Sequence, residues 1–275
     1  MTYRTALIAL CMGGLLTACA PAPTPEQTPE QLAASAVDAP PPLPPEVLEM
    51  YAGRQDGDVW IEPVDPRYLS QDTIRQQVDY WTDEPPGSIV VDPWDRRLYL
   101  VLGEDRAMRY TVGVGDQGRQ FAGDAHIPYG REWPRWTPTE NMLREDPETN
   151  EPHRHGMEGG VDNPLGARAL YLHRGGRDTL YRIHGTPYPW SVGEASSSGC
   201  IRMFQQDVID LYERVEKGRT RVTVLREDQA GEGTVPPGIA RPAAAPEAIP
   251  MAEAQTLQRM AEENDLTLDM LLGGD

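Results

Sequence analysis

Between residues 87 and 114 the apolar positions fall into three short runs. Residues 88–92 (Ser-Ile-Val-Val-Asp), 98–102 (Leu-Tyr-Leu-Val-Leu) and 109–114 (Arg-Tyr-Thr-Val-Gly-Val) are rich in β-branched and aromatic side chains. Asp92-Pro93-Trp94-Asp95 and Gly103-Glu104-Asp105 separate them with turn-forming residues, a pattern that predicts a β-meander. Similar apolar runs predict strands at 169–172, 180–184 and 221–225. The period changes at Phe204. Apolar residues then recur at Val208, Leu211, Tyr212 and Val215, a helical stripe closed by Lys217-Gly218. The expected fold is therefore mainly β with some α, an α+β domain with one main helix.

The flanks have a different composition. Residues 20–48 are rich in proline and alanine, which cannot build a core and favour an extended spacer of about 3.1 Å per residue. Folded character is expected from Val59-Trp60-Ile61 to residue 226, giving a domain at 59–226 between a tether at 19–58 and a tail at 227–275. The tail returns to linker composition and ends in an acidic stretch whose Leu257, Met260, Ala261, Leu268 and Leu271 fit a helix. Both flanks are expected to be disordered. Inside the domain, residues 131–166 carry clustered charge, little period and Trp133-Pro134-Arg135-Trp136-Thr137-Pro138. A long irregular segment in a compact domain is either functional or disordered, and its tryptophans and prolines favour an ordered lid or wall.

Residues 1–18 read as a signal peptide. Arg4 supplies a positive start, and residues 6–16 form an apolar run too short to span a bilayer. It ends in Leu16-Thr17-Ala18-Cys19, which resembles the lipobox of bacterial lipoproteins, where cleavage leaves the cysteine as a lipid-modified first residue. Each buried acyl methylene contributes roughly 0.8 kcal/mol, so several chains on Cys19 would hold the protein on a membrane. The expectation is a lipid-anchored protein on the periplasmic side of the envelope; Ala20, by resemblance to enterobacterial sorting, points to the outer membrane. The formal charge of −18 argues against nucleic acid, which would need a basic face. The composition says nothing of oligomeric state.

Once Cys11 and Cys19 are assigned to the export segment, Cys200 is the one remaining thiol. A single thiol forms no intramolecular disulfide and is too few for a cysteine metal site, so it is either an inert buried residue or a nucleophile. Attack requires the thiolate, a minority species at neutral pH for a free cysteine of pKa about 8.5, so a base is needed. Of His126, His153, His155, His173 and His184, only His184 ends a predicted strand and enters a Gly-Thr-Pro turn. Gly199 would let the main chain approach a bound carbonyl, and the amides of Gly199 and Cys200 would serve an oxyanion. His153 and His155 with Glu151 and Glu158 have the residue types of a zinc site but lack ligand spacing, and a solvated face is the better reading. No metal or organic cofactor is expected.

His184-Gly185-Thr186, a short loop, Ser197-Ser198-Gly199-Cys200-Ile201-Arg202-Met203 and a following Asp207-Val208 helix resemble the signature of the L,D-transpeptidase (YkuD-like) catalytic domain. Residues 86–92 with Leu98-Tyr99-Leu100 resemble that family's opening hairpin, and residues 163–172 the strand leading to its histidine. The resemblance implies a β-sandwich-like catalytic domain with its main helix after the cysteine. It implies Cys200 as nucleophile, His184 as base, the Gly185 carbonyl orienting the imidazole, and Ser197 holding the nucleophile loop by hydrogen bonding. Arg202 would pair with a substrate carboxylate or brace the Cys200 loop, and both roles stay open. Many members carry a histidine where this chain has Ser198, which leaves any second acid–base role unsupported.

The implied substrate is the tetrapeptide stem of peptidoglycan, cleaved through a cysteinyl thioester that an amine of a neighbouring stem resolves into a 3–3 cross-link. The same residues serve an L,D-carboxypeptidase or endopeptidase, or an enzyme that anchors a protein lysine to the wall. A non-catalytic wall-binding lipoprotein is the alternative of another class, against which the intact His184 and Cys200 pair weighs. A papain-like protease is disfavoured, because there the cysteine precedes the histidine.

Overall fold

The computed structural model describes residues 42–195 and 199–239. In chain order the elements are helix α1 (Pro45–Met50), strands β1 (Arg54–Asp56), β2 (Val59–Ile61), β3 (Gln76–Asp79), β4 (Ile89–Asp92), β5 (Arg97–Gly103), β6 (Arg106–Thr111) and β7 (Gly113–Val114), and helix α2 (Asp116–Arg119). Then come β8 (Gly123–His126), β9 (Gly130–Glu132), α3 (Glu140–Glu145), α4 (Pro147–Asn150), β10 (Arg168–Arg174), β11 (Arg177–Gly185), β12 (Ile201–Met203), α5 (Gln205–Arg214) and β13 (Arg221–Val224).

One large sheet dominates, ordered β3-β6-β5-β4-β13-β8-β10-β11-β12-β7, with β9 also paired to β10. The meander predicted at 88–114 is β4, β5 and β6, each antiparallel to the next. Only β4 with β13 and β11 with β12 pair in parallel among the strand pairs of this sheet. Val112 alone separates β6 from β7, yet β7 lies at the far end of the order. A chain that leaves the second strand of a sheet and enters the strand at its far end within a residue forces the sheet to curl on itself.

The curl encloses a core of Ile89, Val91, Leu98, Leu100, Tyr110, Leu170, Ile183 and Val222, onto which α5 lays Val208 and Leu211. Val90, Tyr99 and Val101 point the other way and join Tyr80, Ala107 and Leu225 in a second cluster. Burial on both faces explains why β4 and β5 read as unbroken apolar runs rather than as alternation.

The folded body is larger than expected at both ends. It begins at Leu43, inside the region assigned to the tether, because Tyr51 is fully buried with Val64, Leu69, Ile74, Val192 and Phe204. Gln206 fastens this segment by donating to the main-chain carbonyls of Ala52 and Glu62, at 3.3 and 3.0 Å. At the other end the chain past residue 226 stays on the body. Gly231 N–H donates to Asp92 Oδ2 at 2.6 Å, and Trp81 N–H to the Gly233 carbonyl at 2.9 Å. The acidic tail at 251–272 lies outside the described residues, as do Cys19 and the segment read as an export signal. No helix of the described residues is long and apolar enough to cross a membrane.

Residues 131–166 are ordered, as their tryptophans and prolines suggested. Trp136 bridges to Met157, and the buried Asn163 Nδ2 donates to the carbonyls of Pro134 and Glu158, both at 3.0 Å.

A polar network underlies α5. Asp207 is fully buried; its carboxylate accepts from Arg75 at 2.8 Å and from the Tyr51 hydroxyl at 3.3 Å. Asp210, one turn on, accepts from Tyr110 and Arg214 at 2.6 and 2.8 Å. Removing one member of a buried pair strands the other. Asp207→Ala should therefore cost about 3–5 kcal/mol in denaturant unfolding, and Arg75→Ala combined with it should cost clearly less than the two single changes added. Additive losses would show that the pair is not coupled.

Candidate active site

The parallel ladder between β11 and β12 pairs Ile183 with Ile201, His184 with Arg202, and Gly185 with Met203. Side chains alternate along a strand, so Arg182 and His184 share one face of β11. Arg202, opposite His184, shares that face, and Cys200, two residues earlier, does as well. Electrostatics agree with this placement: the charges of Arg182 and Arg202 act on both His184 and Cys200. The sheet thus gathers an imidazole, a thiol and two cations from either side of the connection between β11 and β12.

His184 is buried, and its Nδ1 lies 2.5 Å from the Gly185 carbonyl oxygen. A carbonyl only accepts, so Nδ1 carries the proton and Nε2 is left with its lone pair for another partner. Burial pulls the imidazole down to about 4, against the opposing Gly185 bond and with help from Arg202 and Arg182. Cys200 is half-buried as a residue, and its thiol faces the Leu180 carbonyl oxygen at 4.0 Å. Burial pushes this thiol above the ordinary cysteine value; the Arg182 main-chain N–H and the charges of Arg182 and Arg202 pull the other way. At neutral pH the thiol and the imidazole are both held uncharged, each under the charges of Arg182 and Arg202. A neutral thiol and a neutral imidazole brought into contact transfer the proton as the sulfur attacks, which is the general-base form of nucleophilic catalysis.

The nucleophile loop is held from behind. Gly199 has φ +122°, a backbone region open to glycine and not to side chains with a Cβ. Gly118, in α2, packs on its carbonyl so closely that a Cβ there would sit 2.5 Å from the oxygen. Sequence reasoning missed Gly118, although the run Gly113-Val114-Gly115-Asp116-Gln117-Gly118 carried the signal. Ser197 and Ser198 lie outside the described residues. Arg202 sits against the site: burial pulls its pKa down, and the neighbouring Cys200 and Tyr188 oppose that.

Arg182 was also missed. Its guanidinium forks onto Asp178 at 2.7 and 2.8 Å and lies over the Tyr171 ring, 4.3 Å from the centroid. The spacing of Asp178 to Arg182 is visible in the sequence, but its meaning depends on the strand distortion between them. Away from this site, Glu151 is taken by Arg154 and Glu158 by Arg135. Among the described residues no cluster of three or more His, Cys, Asp or Glu is placed to hold a metal.

Residues 86–224 match the family model described as the L,D-transpeptidase catalytic domain, YkuD. The probable L,D-transpeptidase ErfK/SrfK of Escherichia coli K12 is 34% identical over 175 residues, 62% of this chain and 54% of that protein. The probable L,D-transpeptidase YbiS of the same strain is 33% identical over 142 residues, 50% of this chain and 44% of its own length. The chain therefore spans about half the length of these curated relatives. A solved chain from Brucella melitensis, described as a probable carnitine operon oxidoreductase CaiA, is 47% identical over 56% of this chain and 95% of its own, with a TM-score of 0.40.

The raised thiol pKa has a direct readout. With Cys11 and Cys19 changed to serine, alkylation of Cys200 by iodoacetamide should rise with pH to a midpoint above the ordinary thiol value of about 8.5. A midpoint near or below 7 would mean a resting thiolate–imidazolium pair and would contradict the neutral site.

Proposed function

Because the chain belongs to the YkuD family of L,D-transpeptidase catalytic domains, we propose that it acts on the tetrapeptide stems of peptidoglycan and joins them by 3–3 cross-links. The observation that carries this reading is His184, its Nδ1 committed to the Gly185 carbonyl and its Nε2 available on the face shared with Cys200.

The chemistry follows from those groups. As Cys200 Sγ bonds to the carbonyl carbon on the L-centre of the third stem residue, the thiol proton passes to His184 Nε2. The resulting oxyanion is met by the amides of Gly199 and Cys200, an arrangement typically worth about 3–4 kcal/mol per donor. The carbon–nitrogen bond then breaks, Nε2 returns the proton to the departing D-alanine amine, and a thioester remains on Sγ. An acceptor amine attacks that thioester, losing its proton to Nε2, and Sγ recovers it as the new amide forms. Arg202, beside Cys200, is the residue suited to a substrate carboxylate. The reaction needs no metal or organic cofactor.

We also place the protein on the periplasmic side of the envelope, anchored by lipid at Cys19. Support comes from the apolar run that stops at Leu16-Thr17-Ala18-Cys19.

Incubation with a tetrapeptide muropeptide or a carbapenem should give a covalent adduct on Cys200 by mass spectrometry. The adduct should be absent in Cys200→Ala and slowed at least a hundredfold in His184→Ala, the usual scale of a lost general base. Wild type that takes no label from either compound under reducing conditions contradicts the enzyme reading. Wall fragments recovered afterwards identify the acceptor as amine, water or protein lysine. For the anchor, Cys19→Ser should release the protein from membranes; a variant that stays bound as tightly as wild type contradicts lipidation.

A further inference from the structure

Strand β11 is distorted next to the nucleophile. Its register on β10 pairs Arg182 with Tyr171 and Asp178 with His173, so Thr179, Leu180 and Tyr181 oppose Leu172 alone. The bulge is fastened at both ends. Asp178 accepts from the Leu180 N–H at 2.9 Å and from both guanidinium arms of Arg182. Thr179 Oγ1 donates to the Leu172 carbonyl at 2.6 Å and accepts from the Tyr181 N–H at 3.2 Å. Arg182 also donates to the Tyr181 carbonyl at 2.9 Å. The distortion is a fixed shape, as bulges beside active sites often are.

At its apex stands Leu180, with φ +66° and 66% of its surface exposed. Both properties are unfavourable for a leucine. The left-handed region brings its Cβ against its own carbonyl oxygen, a clash glycine lacks and asparagine tolerates better. An isobutyl group held in water returns none of its transfer free energy. For stability alone, glycine is the better residue here. The carbonyl of this same residue faces the Cys200 thiol at 4.0 Å. Residues that break a local rule beside a reactive group are where a ligand contact is expected.

We propose that Leu180 is a substrate-contact residue, and that the acyl-donor stem docks in extended form beside residues 178–182 of β11, which β12 does not pair. Its isobutyl group covers the stem beside the carbonyl that Cys200 attacks. The bulge aims this apolar contact, and the Asp178–Arg182 fork keeps it aimed. The partner is a short peptide with aliphatic surface next to the scissile amide, which an alanine-ended stem provides. The inference rests on the function proposed above and adds the residue that grips the donor.

The test uses the full chain as wild type, Leu180→Gly and Leu180→Met. Three quantities are measured: the thermal unfolding midpoint, the rate of iodoacetamide alkylation of Cys200, and the saturation curve for acylation by a tetrapeptide muropeptide. Leu180→Gly should keep or raise the midpoint and alkylate within about twofold of wild type. Its half-saturating donor concentration should rise on the order of tenfold, a fraction of a leucine's transfer free energy, with a nearly unchanged maximal rate. That split marks lost binding rather than lost chemistry. Leu180→Met, which retains an apolar side chain, should stay within about threefold of wild type. An unchanged half-saturation in Leu180→Gly overturns the proposal while leaving the enzyme reading intact, as does a loss confined to maximal rate and alkylation. Wild type that alkylates normally yet is never acylated overturns the function itself, and this contact with it.

Discussion

The parallel pairing of two three-residue segments, Ile183–Gly185 and Ile201–Met203, is the constraint on which the rest of the site depends. Main-chain hydrogen bonds set it, so the relation of His184 to the nucleophile loop does not hang on flexible side chains. Parallel neighbours need a crossover connection, supplied here by residues 186–200. One turn of that connection, Pro189–Ser191, is closed by Ser191 donating through N–H and Oγ to the Tyr188 carbonyl, at 3.0 and 2.7 Å. β7 seals the outer side of β12, and the glycine at residue 113 lies opposite Arg202. His184 and Arg202 are therefore set face to face by the main chain before any ligand arrives.

Burial then sets the chemistry. The same dry surroundings pull His184 down and push Cys200 up, so both groups rest uncharged at neutral pH. Two arginines hold positive charge at this point in a chain whose net charge is −18. Attraction for an anionic partner is thus local, acting over the width of the site and not across the solvent.

The sequence disclosed what local pattern encodes. β4, β5, β6, β10, β11 and α5 all stand where apolar period and turn residues placed them. The Cys200 and His184 pair was legible because its flanking glycines and strand end are sequence-local features. What stayed hidden is owed to partners distant in the chain. β8 is Gly-Asp-Ala-His, with almost no strand propensity, and exists because β13 and β10 flank it. Tyr51 looked like linker because its apolar neighbours Val64, Leu69 and Ile74 show no common period; only Phe204 and Val192 complete the cluster. Leu180 fits a strand pattern perfectly well, and no composition rule signals a positive φ or a bulge. Arg182 looked like one surface charge among many until its fork with Asp178 was seen to brace that bulge.

The position of β13 bears on how the chain folds. It is the last strand among the described residues, yet it lies in the middle of the sheet, between β4 and β8. Until residue 224 has emerged, β4 and β8 each present an unpaired edge and the barrel-like curl cannot close. A polypeptide of this topology cannot complete its core piecemeal from the amino end. Its contacts are long in sequence, which slows folding and keeps the growing chain unfolded until almost all of it is available. That ordering leaves the chain open until nearly all of it is present and defers closure of the body around the Cys200 thiol to the end.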